Sequence, residues 1–132
     1  MQNLVFEEAW DKTISNQDRY EIERAFQQSM IPQNELLCTP LWRAINHKGD
    51  LLVTVLIHNG TKEDFSILDK TITLLKENKI LAKNIFSIPQ LQLKPKTSMP
   101  WTLIFPKGTF DESYFDQNGR MKMTNTFITM ED

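Results

Sequence analysis

The sequence predicts a mainly β protein, an immunoglobulin-like antiparallel β-sandwich carrying one N-terminal α-helix. Three observations predict it. Several short segments alternate apolar and polar residues with period two between about 36 and 106, separated by turn residues. A single segment, about 16–29, has helical spacing instead. No strand–helix–strand alternation occurs, so a parallel α/β sheet is excluded.

Asn3 to Thr13 contains Leu4, Val5, Phe6, Ala9 and Trp10 and reads as a short strand or an extended arm. Ser15 stands at a cap position with Asp18 three residues on, where a hydroxyl can accept a free backbone N–H and a carboxylate complements the helix dipole. Ile22, Ala25, Phe26 and Met30 then form one apolar stripe, and Pro32 ends the helix. That stripe should pack on the host sheet.

Leu41, Arg43 and Ile45 alternate with Trp42, Ala44 and Asn46 up to a turn at His47-Lys48-Gly49-Asp50. Leu51, Val53, Val55 and Ile57 line one face of the next strand, with Leu52, Thr54, Leu56 and His58 on the other. Asn59-Gly60 signals a turn, because both residues tolerate positive φ. Phe65 to Leu75 is extended, Lys76 to Lys79 turns, and Ile80 to Ile88 is a strand with Ala82, Phe86 and Ile88 on one face. Leu91 and Leu93 read as an extended linker. Trp101, Leu103 and Phe105 form one apolar rib of the closing strand, entered through Pro100 and ended by Pro106 and Gly108. In 107–132, Asn118-Gly119 could turn a hairpin between Tyr114-Phe115 and Met121-Met123, and Met130-Glu131-Asp132 should fray.

One domain over 1–132 is expected, with 40% hydrophobic and 24% charged residues arguing against disorder. Net charge is −2, which gives no bulk attraction to nucleic acid or anionic membrane. Residues 1–36 carry net −4, 37–107 net +5 and 108–132 net −3. The central lysines, among them Lys62, Lys70, Lys76, Lys79, Lys83, Lys94 and Lys96, are interleaved with acids at turns and strand edges. There they oppose edge-to-edge association rather than track a phosphate backbone. A lone Cys38 allows no internal disulfide and fits a reducing compartment. No apolar run is long enough to span a bilayer, and a cytoplasmic location is expected.

Candidate chemistry is sparse. His47, Asp50 and His58 could in principle hold zinc, but no CxxC or HExxH spacing supports it. Cys38 with His58 could be a nucleophile and base, yet no catalytic motif surrounds the thiol. Asp111, Glu112, Asp116 and Asn118-Gly119 lack the calcium-loop pattern. There is no GxSxG elbow and no phosphate-cradling glycine loop. No catalytic residue, metal or cofactor is expected. Trp42, with His47 and His58, is the candidate interaction surface, since exposed tryptophan can form a peptide or glycan platform.

An acidic head with Trp10, the Gln/Glu/Arg-rich helix, Gly49, Leu52 to Ile57, Asn59-Gly60, Ile80-Leu81-Ala82, Phe86-Ser87-Ile88, Met99-Pro100-Trp101 and Phe105 follow one another in an order that resembles the SLAP domain of Bacillus-type Firmicutes. That domain occurs twice in the accessory Sec system S-layer assembly protein, whereas one copy is present here. The resemblance runs from about Trp10 to Phe105 and rests on Trp10, Ala82, Phe86, Pro100, Trp101 and Phe105. It implies a non-enzymatic interaction module acting in protein secretion or S-layer and cell-surface assembly, cytoplasmic or peripheral at the membrane export site. Its partner would be export machinery or a secreted client, and an edge strand or the C-terminal tail could pair with a second chain. Alternatives are a surface-exposed ligand- or glycan-binding sandwich and an enzyme of unrecognised type.

Overall fold

The computed structural model describes residues 1–115 and 119–132. In chain order the elements are β1 (Asn3–Leu4), α1 (Glu8–Thr13), α2 (Asn16–Gln28), β2 (Leu36–Ile45), β3 (Leu51–Asn59), β4 (Phe65–Lys76), β5 (Lys79–Leu93), β6 (Thr97–Phe105), β7 (Met121–Lys122) and β8 (Thr126–Glu131). They form a five-stranded sheet, β1-β6-β3-β2-β7, and a three-stranded sheet, β5-β4-β8, in a sandwich-like arrangement. All pairings are antiparallel except β1 with β6, which is parallel.

The core lies between the sheets. Leu51, Val53, Val55 and Ile57 of β3 meet Ile72 and Leu74 of β4, Leu91 and Leu93 of β5, and Leu103 and Phe105 of β6. Phe105 is fully buried, and its ring meets Phe86 edge-on at 5.1 Å. β3 is buried on both faces, because Leu56 and His58, pointing away from the core cluster, are fully buried as well. The helical layer covers that second face: Phe26 of α2 lies 6.5 Å from the His58 ring.

Several expectations need correction. Among the described residues there are two helices, not one, lying between β1 and β2 in the chain. α1 was hidden because its N-cap is Glu7, whose carboxylate accepts from the amides of Ala9 and Trp10, in place of the usual short polar cap. The cap of α2 is the expected one, Ser15 Oγ accepting from the Asp18 amide at 3.1 Å. Met30 falls beyond the helix end and is exposed, so the stripe closes with Phe26. Leu91 and Leu93 belong to β5 rather than to a linker and are fully buried. Tyr114-Phe115 is not a strand; Met121–Lys122 pairs with Arg43 and Trp42 of β2 instead. Asn118 of the anticipated hairpin turn lies outside the described residues. Met130 and Glu131 do not fray but pair with Ile72 and Thr71.

Asn59-Gly60 also works differently from a positive-φ turn, since neither residue has positive φ. The Gly60 amide donates to Glu35 O at 2.9 Å, and its carbonyl accepts from the Asn34 amide and from Lys96 Nζ. A Cβ here would overlap the Pro32 carbonyl oxygen and stand 2.8 Å from that of Glu35, both backbone atoms. Glycine is required by close approach of the 32–35 segment. Gly60→Ala is expected to cost about 1–3 kcal/mol through this overlap, read as a lowered urea midpoint at unchanged slope.

Candidate functional site

A register shift between Pro40 and Trp42 interrupts the β2–β3 ladder. Beyond it Trp42 pairs with Thr54 on the helix-covered face, while Arg43 pairs with Val53 on the core side. β7 then lies along β2, placing Lys122 opposite Trp42. The result is a groove between α2 and the β2–β7 edge, made of two cavities of about 170 and 330 Å³ that share Glu21, Trp42 and Lys122.

Trp42, half-buried, is the aromatic element of this groove. The Arg120 guanidinium sits 3.7 Å from its ring centroid and also pairs with Asp18 of α2 at 2.7 Å. Gln17 donates to the Glu21 carboxylate at 3.0 Å, one turn along the helix. Arg24 and Lys122 add positive charge on opposite walls. No hydroxyl, thiol or imidazole lines either cavity among the described residues. The arrangement is an aromatic surface flanked by charged side chains, among them the Arg120–Asp18 pair.

The other tryptophans do not join it. Trp101 pairs with Val55 on the core side of β6, two strands from Trp42, and stacks on Trp10 at 6.4 Å. It was expected inside the core rib with Leu103 and Phe105; it is instead half-buried at the rim, where Trp10 covers it. Pro100, Ala82 and Phe86 are buried.

The two histidines are also separated. His47 is exposed in the turn before β3, and His58 is near the far end of that strand. Asp50 accepts the Lys107 amide, and no group of metal-ligating side chains occurs among the described residues. Cys38 pairs with Ile57 and enters the core, whereas His58 faces the helices, so the two lie on opposite faces of the sheet. Burial pushes the thiol up to about 12, which leaves it uncharged. Asp111 closes a local turn onto Ser113, and that hydroxyl together with Lys79 holds its carboxyl far below the usual range. Asp116, also weighed as a calcium ligand, lies outside the described residues.

His58 belongs to a buried polar chain. Gln2 Nε2 donates to Ser98 Oγ at 3.2 Å, and Ser98 Oγ lies 2.6 Å from His58 Nδ1. The Ser98 hydroxyl can accept from Gln2 and either donate to Nδ1 or accept from it, while Nε2 is buried with no hydrogen-bond partner among the described residues. Burial lowers His58 from 6.5 to about 4. The neutral ring is therefore the native form. Its contribution is complete above pH 6.5 and is lost as pH falls toward 4. A loss on the order of 3 kcal/mol is expected across that window. Urea titrations between those pH values check it, and His58→Gln should flatten the dependence.

Asn59 escaped notice as more than a turn residue. Its Nδ2 donates to the carbonyls of Glu63, Leu93 and Lys94, and its Oδ1 accepts from the Thr61 amide and hydroxyl. Arg43, read as an ordinary strand residue, is buried with its guanidinium 4.8 Å from the Phe115 ring. Only tertiary context reveals either role.

A family model described as the SLAP domain matches residues 4–124, nearly the whole chain. No curated protein and no solved structure matches.

Proposed function

The chain belongs to the SLAP domain family, and from that premise we propose that it is a non-enzymatic protein-interaction module serving secretion or S-layer and cell-surface assembly, with the Trp42 groove as its docking surface. The groove carries this reading. It offers an aromatic side chain and charged walls without a nucleophile or imidazole among the described residues. Its partner in this reading is a component of the export machinery or a secreted client, met on the cytoplasmic side of the membrane. No described helix is long and apolar enough to cross a membrane. The immunoglobulin-like reading of the sandwich belongs to the same proposal.

Glycan binding through Trp42 is the weaker alternative. A sugar would need an open ring face, and Arg120 already stacks at 3.7 Å. A protein partner can instead use the Arg120 and Asp18 charges at the groove rim.

Affinity purification of tagged protein from its native cells tests the proposal. Translocase components or secreted clients should co-purify, and Trp42→Ala should reduce their recovery at least about tenfold, as expected of a central aromatic contact. A preparation devoid of both classes overturns it.

A further inference from the structure

The sheet formed by β5, β4 and β8 turns Ile72 and Leu74 into the core. Among the described residues no helix covers its other face as α2 covers the opposite sheet, although Thr73 at the centre of that face is buried among its neighbours. Ile80, Leu75 and Phe127 stand there at one register across the three strands. Ile80 is 51% and Phe127 64% exposed. Two pleats away Ile85, Thr71 and Glu131 share a register, and Lys83, Thr73 and Thr129 lie between the rows. Ile85 is 64% exposed too. Ile80 and Phe127, with Leu75 between them, form one apolar row, and Ile85 is a second exposed apolar residue beyond the polar row.

We propose that this face binds a second copy of the chain, face to face, about a two-fold axis parallel to β4. The pattern is self-complementary under that rotation. It lays Ile80 on the partner's Phe127 and brings Leu75 against the same residue across the axis. Ile85 then covers the aliphatic stem of the partner's Glu131, whose carboxylate comes within one pleat of Lys83. The two-fold makes each apolar contact and each charge pair occur twice, as an isologous interface requires. Charge complementarity thus selects the second copy: the face carries both Lys83 and Glu131 on opposite strands, so one partner must supply both signs in matching places.

The backbone spacing gives three strands and three rows an area of only about 300 Å² per copy, against about 800 Å² for a stable interface. The association is therefore weak and concentration-dependent. It would bring two Trp42 grooves into one assembly, facing away from the contact, so that a partner with two docking segments gains from avidity.

Sedimentation of the full chain from about 10 µM to about 1 mM tests it, a range that brackets weak dimers. The wild-type chain should pass from monomer to dimer. Phe127→Lys should remain monomeric at the top concentration with an unchanged melting temperature, because the ring is exposed. Lys83→Glu and Glu131→Lys should each weaken the dimer at least about threefold, and the double exchange should restore it. A wild-type chain that stays monomeric throughout overturns the proposal. So does a dimer that Phe127→Lys leaves intact, or one whose charge exchange gives no rescue. None of these results depends on the Trp42 groove, which keeps this test separate from the functional one.

Discussion

Phe105→Ala is expected to destabilise the domain by about 3–5 kcal/mol, the range for deleting a fully buried phenyl ring. The residue has no exposed surface, pairs with Leu51 at the end of β6 and meets Phe86 of the opposite sheet. Truncation would open a cavity bounded by both sheets, which cannot collapse without pulling β5 toward β6. Much of a small domain's total stability would go with it. Urea unfolding should show the midpoint fall, and Trp101→Ala should cost less because its ring is half-buried at the rim. Equal losses would mean that Trp101 is as central to the core as Phe105.

Asn59→Asp should be comparably severe, at about 3–5 kcal/mol, because a carboxylate would replace a donor aimed at three carbonyls. The position is fully buried, so water cannot repair the loss. Burial and the carbonyl dipoles both favour the protonated acid, raising its pKa above the unfolded value. The deficit relative to wild type should therefore shrink as pH falls through that raised pKa, since a protonated carboxyl can donate once. Comparing variant and wild type at each pH removes the separate titration of His58. A deficit constant from pH 8 to about pH 4 would contradict the assignment of Asn59 Nδ2 as the essential donor.

Strands were readable in the sequence where one face is buried and the other is not. The alternation at Leu51 to Ile57 placed both faces of β3 correctly, and Ser15 marked the start of α2. Legibility failed where a residue's task depends on distant backbone. Gly60 is glycine because the 32–35 segment approaches it, not because of its own φ. Asn59 serves carbonyls more than thirty residues away in sequence, at Leu93 and Lys94. The break expected near Ile88 reflects Pro89 and the polar Gln90 and Gln92, yet β5 continues to Leu93 by burying Leu91 and Leu93 alternately. Similarly, the rib with Trp101 had the right pleat, but its burial depends on Trp10 arriving from α1, which period-two reasoning could not supply.

The candidate site was only partly legible. Trp42 was singled out as a surface aromatic, and the groove forms around it. His47 and His58 were grouped with it and do not belong there, one in an exposed turn and one buried under Phe26. Arg120, Asp18 and Lys122 complete the groove from sequence positions that no local motif connects. Family membership is shown over residues 4–124, and the groove is where the proposed interaction would act.

Site-specific photo-crosslinking in native cells tests the docking claim most directly, with the probe at Gln28 on the groove rim and, as a control, at Lys62 in the loop after β3. The account predicts a discrete adduct with an export component or secreted client from position 28, lost when Trp42→Ala is added, and none from position 62. Adducts from position 62 alone, or a position-28 adduct indifferent to Trp42→Ala, would contradict the assignment of the groove as the docking surface.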